Sequence, residues 1–353
     1  MNSQEIVLRT RDGFISVDGP LTISPLEDAT IFKCEFTGEK NEYYLRLIAP
    51  MTCETSTPMS LDIWDEYDPE LMLYKQNDSD NQKFNILAST MQIFDNSGSE
   101  LLFRKETIFI QFVARLRLLS FNIQECLNSQ FGALSWGAKG IVHEFKKYES
   151  GADIVSFIDK TKPHMICLQE FSENPGCDAL DTLDSCRADA GWRAQLQNPI
   201  IVDKLEVKHT GSSSVKLSDD RCYSYVGISM PVVGNVLVVN IHITYKKISQ
   251  AENITQLMGF INRQLQSGTH IILAGDFNFK STSPQFKRIT ERLIPLTNNH
   301  IDHIFASTGL VDAFKVTTCH VHSSDHDPTL VEMRWVGSKK RFKKSVDRGF
   351  DVW

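Results

Sequence analysis

The stretch His270-Ile271-Ile272-Leu273-Ala274-Gly275-Asp276-Phe277-Asn278 decides the fold of this chain. Residues 270–274 form a short apolar run, which predicts a buried β-strand. A glycine and two polar residues follow, so the strand ends in side chains that can carry chemistry. Asp276 and Asn278 lie two positions apart, and on an extended segment both side chains would point to the same side.

Five other segments belong with it, and nearly all combine an apolar, strand-like run with polar residues at its end. They are Ser120-Phe121-Asn122, Leu168-Gln169-Glu170, Asn240-Ile241-His242, Ile301-Asp302-His303-Ile304-Phe305 and Ser324-Asp325-His326-Asp327-Pro328. Side chains at strand ends converge on one rim of a sheet, where loops can present them to a substrate. Together the six segments predict a single functional site.

From Arg115 onward, strand patterns alternate with helix patterns, which is typical of an α/β fold. The predicted strands are Leu116–Phe121, Met165–Leu168, Tyr225–Met230, Val236–Ile243 and His270–Ala274. One helix is predicted at Ile141–Asp159. A second is predicted at Ile254–Leu265, where apolar residues recur at the spacing of one helix face.

The acidic residues at the strand ends suit a metal-assisted reaction on a phosphoester. Glu170 and Asp325 offer the hard oxygen ligands that Mg²⁺ or Mn²⁺ prefers, and two carboxylates with waters and a substrate phosphate make an ordinary magnesium shell. Asp276 beside Asn278 can orient an attacking water and hydrogen-bond a phosphate oxygen.

Two histidines add groups that donate or accept a proton near neutral pH. These are His242 and His326, and Asp302 is the natural partner to fix the tautomer of one of them. His303 also lies in this region, where we expect it to pack rather than bind a metal. The complete set predicts a phosphoesterase site.

The order Asn, Glu, His, Asp-x-Asn, Asp, Asp-His resembles the endonuclease/exonuclease/phosphatase superfamily, which has the deoxyribonuclease I-like fold. The resemblance covers residues 114–337, and Gly275-Asp276-Phe277-Asn278 and Ser324-Asp325-His326 are its most specific parts. It implies an α/β (α+β) four-layer sandwich in which two packed mixed β-sheets are flanked by helices. It also implies hydrolysis of phosphoester bonds with Mg²⁺ or Mn²⁺.

The resemblance assigns a role to each matching residue. Glu170 would be the principal metal ligand, and Asn122 and Asp325 would complete or support that site. The remaining positions would serve catalysis: Asp276 and Asn278 orient the water and the phosphate, Asp302 hydrogen-bonds His326, and His242 and His326 contact the scissile phosphate.

The third motif narrows the subfamily. Abasic-site endonucleases place an asparagine in a Pro-Asn context there, whereas this chain has Asn240-Ile241-His242. His242 favours the branch that holds deoxyribonuclease I, the deadenylases, the inositol polyphosphate phosphatases, the neutral sphingomyelinases and the tyrosyl-DNA phosphodiesterases. The Asn-Tyr-Arg continuation of inositol phosphatases is absent after Asn278. Phe286 loosely matches an aromatic of deadenylase-like nucleases, and Trp136 could stack on a base.

Residues 1–113 predict a separate all-β accessory domain. Paired apolar runs form three weakly similar units of roughly forty residues, and Thr30-Ile31-Phe32 recurs as Thr107-Ile108-Phe109. The segments resemble β-trefoil modules of the fascin-like or lectin-like kind, with a β-sandwich as the alternative. A sugar, actin, a lipid or a protein could be its ligand. Met51–Pro69, rich in Thr, Ser, Pro and acids, predicts a long loop.

Charge is divided unevenly along the 353 residues. Residues 1–113 carry 19 acidic and 9 basic side chains, while the chain as a whole has a net charge of −7. Residues 338–353 form a basic C-terminal tail, and Lys339–Lys344 could act as a nuclear localisation signal or contact phosphates. The catalytic region is almost neutral, so charge alone is weak support for a nucleic-acid substrate.

Neither a signal peptide nor a transmembrane span is predicted, which favours a cytoplasmic or nuclear location. The leading prediction is a Mg²⁺-dependent phosphodiesterase acting on nucleic acid, DNA or RNA. One alternative is a phosphoinositide phosphatase or sphingomyelinase-type enzyme, for which apolar membrane-contact loops beside the site would be the distinguishing feature. An alternative of another class is a binding or scaffold protein with a vestigial catalytic domain.

Overall fold

The computed structural model describes most of the residues of the chain. The described residues are 4–17, 21–37, 42–48, 59–63, 71–77, 79, 82–87, 91–95, 97–104, 106–123, 157–158, 160–170, 186–188, 198–202, 208–217, 221–230, 233–297, 300–318, 320, 324 and 326–336. The chain divides into two compact units, one formed by residues 1–115 and 334–353 and the other by residues 116–333.

The first unit is built almost entirely of strands. Its elements are β1 (Gln4–Arg9), β2 (Phe14–Val17), β3 (Leu21–Ser24), a short 3-10 helix (Leu26–Asp28), β4 (Ile31–Phe36), β5 (Glu42–Leu47), β6 (Met59–Ile63), β7 (Leu71–Lys75), β8 (Lys83–Leu87), β9 (Gln92–Phe94), β10 (Leu102–Phe103), β11 (Glu106–Thr107) and the first part of β12 (Phe109–Asn122). The predicted all-β region is therefore present.

Six of these strands pair in a closed ring. The ring runs β1–β4–β5–β8–β9–β12 and returns from β12 to β1. Three hairpins, β2–β3, β6–β7 and β10–β11, interrupt the ring strands at regular intervals along the chain. Alternate residues of the ring strands, such as Ile6 and Leu8 or Tyr43 and Leu45, belong to one buried cluster. The two-residue period of a strand thus creates the core.

The prediction of a loop throughout Met51–Pro69 is wrong for Met59–Ile63. These residues form β6, which pairs with β7 so that Leu61 lies opposite Leu73. The sequence Met-Ser-Leu-Asp-Ile alternates apolar and polar residues, which is a strand pattern. Loop-forming residues on both sides obscured it.

The first sheet of the second unit uses strands from both ends of that unit. It comprises the second part of β12, then β13 (Met165–Gln169), β14 (Cys186–Ala188), β15 (Ile200–Val202), β22 (Ala313–Thr318) and β23 (Thr329–Val336). The order is β14-β15-β13-β12, and β23 pairs with β12 and β22. Strands β12 and β13 are parallel, whereas β13 and β15 are antiparallel, so the sheet is mixed.

The second sheet has the order β16-β17-β18-β19-β21-β20. Its strands are β16 (Lys208–Lys216), β17 (Cys222–Met230), β18 (Gly234–His242), β19 (His270–Asp276), β20 (Leu293–Pro295) and β21 (Asp302–Ser307). Helix α1 (Lys247–Gln266) connects the parallel strands β18 and β19, and α2 (Pro284–Thr290) follows β19. Parallel neighbours require such a crossover, and α1 buries Ile254, Leu257 and Ile261 in the same core cluster as these two strands.

The two sheets of the second unit pack on each other. Strand β13 of the first sheet contacts β18 and β19 of the second, and β18 is buried from Val236 to His242 because it is covered on both faces. The predicted α/β sandwich is confirmed. The predicted helix Ile141–Asp159 lies outside the described residues except for Phe157 and Ile158, which are helical. Among the helices that the structure describes, none is long and apolar enough to cross a membrane.

Candidate active site

The ends of five strands meet at one edge of the second unit. Asn122 is the last residue of β12 and pairs in register with Gln169, the last residue of β13. In the other sheet, His242, Asp276 and Asp302 lie side by side on β18, β19 and β21. The parallel pairs β12–β13 and β18–β19 end at this edge, whereas β21 is antiparallel to β19 and begins there with Asp302.

Asp276 is the centre of this edge. Its Oδ2 accepts a hydrogen bond from Asn122 Nδ2 at 3.0 Å, and its Oδ1 accepts one from the backbone N–H of Asn278 at 2.8 Å. The side chain is 2% exposed. Asn122 and Asp276 belong to different sheets, so their contact requires the sandwich to be assembled.

The environment of Asp276 opposes its ionisation. Burial is the main cause, the nearby Asp302 carboxylate adds to it, and together they raise the pKa of Asp276 from 3.8 to about 7. His326 and the hydrogen bonds from Asn278 and Asn122 act in the opposite direction. A carboxyl group whose pKa lies near neutrality is suited to take up a proton during a reaction.

Asn278 reaches the site through a turn rather than along an extended strand. Strand β19 ends at Asp276, and Asn278 has a left-handed backbone with φ 52°. Its side-chain Nδ2 donates to the carbonyl oxygen of Ile243 at 2.8 Å, while its own carbonyl accepts from Gln250 Nε2 at 3.0 Å. The expectation of an extended Asp276–Asn278 segment is wrong, because the Asp276 carboxylate accepts the Asn278 N–H and closes a tight turn.

Gly275 precedes the turn at Asp276–Asn278, at a position where a residue with a Cβ atom would not fit. Its φ is 145°, and a Cβ atom there would collide with the backbone carbonyl of Ile241 on the adjacent strand. The glycine lets β18 and β19 approach closely next to Asp276.

His326 and Asp302 form a hydrogen-bonded pair. His326 Nδ1 donates to Asp302 Oδ2 at 2.8 Å, and His326 Nε2 lies 3.8 Å from Asp276 Oδ2. The His326 backbone N–H donates to Ser324 Oγ, which in turn donates to the Asn122 carbonyl at 2.7 Å. These contacts hold the imidazole with its second nitrogen towards Asp276.

His242 occupies the opposite side of Asp276. It is 2% exposed, and its Nε2 lies 3.6 Å from both Glu170 Oε1 and Asp276 Oδ2, too far for a good hydrogen bond. Its Nδ1 lies 3.0 Å from Nη1 of Arg221. Burial first, then the charges of Arg221 and His326, hold the pKa of His242 well below its usual value.

Arg221 was missed by sequence reasoning. It stands one residue before β17, and Tyr223 of that strand lies opposite Ile241 of β18, which brings Arg221 to the same edge as His242. The only sequence signal was a basic residue at the start of an apolar strand. That signal identifies Arg221 as a neighbour of His242 only when the β17–β18 register is known.

Several residues fit a divalent cation at this edge. Ligand atoms of Asp276, Asp302 and His326 lie within 4.8 Å of one another. Asp302 Oδ1 is buried without a hydrogen-bond partner among the described residues. A buried carboxylate beside a partly buried one with an unsatisfied oxygen forms a site that positive charge would stabilise. Carboxylate oxygens are the ligands that hard cations prefer.

The three predicted metal ligands are placed differently. Asn122 contacts the Asp276, Asp302 and His326 cluster through its hydrogen bond to Asp276. Glu170 lies beside His242, with Oε1 3.6 Å from Nε2 of the imidazole. Glu170 follows β13 with a left-handed φ of 53°, a conformation that turns the chain at the end of the strand. Asp325 lies outside the described residues, as do Trp136 and Lys339–Lys344.

His303 packs in an aromatic cluster behind the site. It is buried, its Nε2 lies 2.9 Å from the Phe279 carbonyl oxygen, and its ring contacts Phe277, Phe286 and Phe305. His303 therefore packs in the core, as expected from the sequence. Phe286 belongs to the same cluster and is buried.

The comparisons with known proteins agree with this geometry. The family model described as "Endonuclease/Exonuclease/phosphatase family" matches residues 119–326, more than half of the chain. No curated protein matches the chain.

Three solved structures illustrate the proteins that this chain resembles. An endonuclease/exonuclease/phosphatase family protein from Bacteroides thetaiotaomicron is 16% identical, with a TM-score of 0.50 over 63% of this chain and 98% of that protein. TDP2 from Caenorhabditis elegans is 14% identical, with a TM-score of 0.48 over 62% of this chain and 74% of that protein. A mannosyl-6-phosphatase from Bacteroides thetaiotaomicron is 16% identical, with a TM-score of 0.48 over 63% of this chain and 100% of that protein.

The matched residues run from β12 to His326 and include the whole strand-end edge described above. The chain therefore belongs to the endonuclease/exonuclease/phosphatase family, whose members are metal-dependent phosphoester hydrolases.

Proposed function

We propose that this protein is a Mg²⁺- or Mn²⁺-dependent phosphodiesterase that cleaves nucleic acid. The observation that carries the hydrolytic part of the proposal is the meeting of seven polar side chains at one edge of the sandwich. They are Asn122, Glu170, His242, Asp276, Asn278, Asp302 and His326.

The proposed reaction is an in-line displacement at phosphorus. A water attacks the phosphorus while the bond to the leaving oxygen breaks, and the water's proton passes to Asp276, whose raised pKa makes this transfer favourable near neutral pH. His326, held by Asp302, faces the developing charge. Glu170, with Asn122 and Asp325, would hold the divalent cation, which supplies positive charge to the phosphoryl and leaving oxygens.

A cluster of exposed residues beside the site supports a nucleic-acid substrate. Tyr245 is 69% exposed and follows His242 by only three residues, a chain length that spans about 11 Å at most. Lys246 and Lys247, both exposed, follow it. An exposed aromatic ring can stack on a base, and neighbouring lysines can contact the phosphate backbone.

One observation favours the second candidate, a phosphoesterase acting on lipid head groups. Ile248 is 91% exposed and continues the same surface segment. An exposed aliphatic residue next to a tyrosine and two lysines is also typical of a surface that meets an anionic membrane. Ile248 is thus an exposed apolar side chain close to the site, the kind of feature that would distinguish a membrane-acting enzyme.

Substrate assays with two matched variants separate these candidates. Wild-type protein is incubated with single-stranded and duplex DNA, RNA, phosphoinositide vesicles and sphingomyelin vesicles, each with Mg²⁺, with Mn²⁺ or with EDTA. We expect cleavage of nucleic acid only with metal, and a larger loss with Tyr245→Ser than with Ile248→Ser. Cleavage of lipids alone, impaired mainly by Ile248→Ser, would establish the second candidate.

The same assays address the alternative of a binding protein. Absence of turnover on every substrate with either metal, together with retained binding of nucleic acid, would favour a vestigial catalytic domain. Turnover that persists in EDTA would contradict the metal-dependent reaction.

We also propose that the first unit is a β-trefoil. The support is its closed ring of six strands together with the three hairpins β2–β3, β6–β7 and β10–β11. Strands β1 to β4, β5 to β8 and β9 to β12 then form three equivalent groups of four strands, each containing two ring strands and one hairpin. An experimental structure tests this, because the three groups should superpose by rotations of about one third of a turn. A two-sheet sandwich would contradict it.

A further inference from the structure

Arg221 makes a contact that the catalytic motifs do not account for. Its guanidinium Nη1 lies 3.0 Å from Nδ1 of the buried His242. The Arg221 backbone is fixed as well, because its carbonyl accepts a hydrogen bond from Leu217 N at 2.7 Å. Arg221 is therefore held just before the start of β17, with its guanidinium group against the imidazole of His242.

The chemistry of the two groups permits one arrangement of hydrogens. A guanidinium offers only N–H donors and stays protonated in proteins. Nδ1 of His242 must therefore present a lone pair. In a neutral imidazole, the single hydrogen then resides on Nε2.

The surroundings of Nε2 agree with this arrangement. The carboxylate oxygens Glu170 Oε1 and Asp276 Oδ2 each lie 3.6 Å away, so the N–H faces acceptors. Asn278 Nδ2 is nearer, at 3.3 Å, but it donates to the Ile243 carbonyl at 2.8 Å and lies 3.4 Å from Asp276 Oδ2. The amide hydrogens thus have acceptors other than the imidazole.

We propose that Arg221 is a positioning residue that fixes His242 in the tautomer with its hydrogen on Nε2, so that His242 serves as an oriented hydrogen-bond donor to a phosphoryl oxygen of the substrate. This inference rests on the proposed phosphodiesterase function. It also gives the two histidines different hydrogen-bonding arrangements. His326 donates from Nδ1 to Asp302 and turns Nε2 towards Asp276. The two rings therefore use different nitrogens: His242 presents its Nε2–H to the site, whereas His326 donates from Nδ1 to Asp302.

The tautomer is measured directly by ¹⁵N NMR of the full-length protein with ¹⁵N-labelled histidine. The His242 signals are identified by their loss in His242→Asn. We expect Nε2 of the wild-type His242 to carry the hydrogen. In Arg221→Glu, which places an acceptor against Nδ1, the hydrogen should move to Nδ1, whereas Arg221→Gln, which keeps an N–H donor, should retain the wild-type pattern. A hydrogen on Nδ1 in the wild-type protein would overturn the proposal.

Kinetics separate positioning from direct substrate contact. Arg221→Glu should lower kcat by about 10- to 100-fold with little change in KM, and Arg221→Gln should recover part of that loss. In a His242→Ala background, Arg221→Glu should cause no further loss of kcat, because Arg221 acts through the imidazole. Equal losses in both backgrounds would overturn the proposal. Arg292→Gln, which removes an exposed positive charge elsewhere on the same unit, should leave tautomer and kinetics unchanged.

The two readouts distinguish this inference from the proposed function. If the tautomer follows Arg221 as expected but no nucleic acid is cleaved, the positioning role stands and the substrate assignment fails. If nucleic acid is cleaved but the tautomer does not respond to Arg221→Glu, the positioning role fails alone. Circular dichroism establishes that each variant is folded, and Arg221→Gln provides the comparison if Arg221→Glu does not fold.

Discussion

Asn122 on β12 donates a hydrogen bond from Nδ2 to Asp276 Oδ2 on β19 at 3.0 Å, although the two residues are 154 positions apart in the chain. The donor belongs to one sheet and the acceptor to the other. Asp276 is thereby oriented by a residue that reaches it only when the two sheets have packed. The geometry of the site depends on the assembly of the sandwich as a whole.

Asp276→Asn should abolish most activity while leaving the fold intact. The amide has nearly the same shape as the carboxyl group but cannot take a proton from water, and loss of a general base costs about 10²- to 10⁴-fold in rate. The measurement is kcat on the best nucleic-acid substrate, with circular dichroism as the check on folding. Glu291→Gln, an exposed carboxylate of the same unit, should retain full activity. Near-normal turnover of Asp276→Asn would remove Asp276 from the proposed reaction.

The same residue predicts how stability changes with pH in the absence of metal. The pKa of Asp276 is raised from 3.8 to about 7, so the folded state binds a proton more tightly than the unfolded state. Its stabilising contribution is complete below the ordinary pKa and is lost as pH rises through about 7. In EDTA, the free energy of unfolding of the wild type should therefore decline over this window more than that of Asp276→Asn.

Urea unfolding at intervals between pH 4 and pH 8 provides the measurement. Added Mg²⁺ or Mn²⁺ should stabilise the wild type more at pH 8 than at pH 5, because the cation binds the ionised carboxylates. Parallel pH curves for the wild type and Asp276→Asn would contradict the assignment of the raised pKa to Asp276.

The strands that end at the site were predictable because their signals are local. The apolar run of residues 270–274 and the Gly-Asp-Phe-Asn sequence after it are contiguous, and together they identify β19 and the two polar residues that follow. The order of the six segments along the chain then indicated the family. The strand and its motif are identified from neighbouring residues, and the family from the order of the motifs along the chain; neither inference needs the tertiary structure.

Other parts of the site depend on contacts that no local pattern encodes. The contact of Arg221 with His242 follows from the pairing of β17 with β18, and the contact of Asn122 with Asp276 follows from sheet packing. The left-handed turn at Asn278 also escaped prediction, because the alternation of side chains assumes that the strand continues. Register and sheet packing are set by the assembled core.

Gly275→Ala should destabilise the protein strongly. The backbone φ of 145° disfavours any residue with a Cβ, and that Cβ would collide with the Ile241 carbonyl of the neighbouring strand. Strain and overpacking together should lower the free energy of unfolding by about 3 kcal/mol or more. Chemical denaturation measures this loss.

Gly259→Ala is the matched control for that substitution. Gly259 lies within α1, and an added Cβ would meet only Arg263 Nη1 at 3.7 Å. Since alanine favours the helix over glycine, this change should stabilise the protein by about 0.5–1 kcal/mol. Equal destabilisation by both substitutions would contradict the close approach at Gly275.

A second side-chain link joins the sheets close to the site. Gln169 Nε2 of β13 donates to Asn240 Oδ1 of β18 at 2.6 Å. Asn240 Nδ2 in turn donates to the carbonyl oxygens of Leu168 at 2.7 Å and Pro199 at 3.0 Å. Asn240 is completely buried, so water cannot replace these partners.

Asn240→Ala should therefore destabilise the protein and also lower its activity. The substitution removes three buried hydrogen bonds, although the Gln169 amide keeps its bond to the Cys167 carbonyl and the Pro199 carbonyl keeps the Leu168 N–H. Each buried hydrogen bond contributes about 1 kcal/mol. We expect a loss of about 3 kcal/mol in urea unfolding. We also expect a fall in kcat, because β13 and β18 carry Glu170 and His242 at their ends. Asn235→Ala, at the exposed start of the same strand β18, should change stability by less than about 0.5 kcal/mol. If the two substitutions had similar effects, the Gln169–Asn240 link would not hold the sheets in register at the active edge.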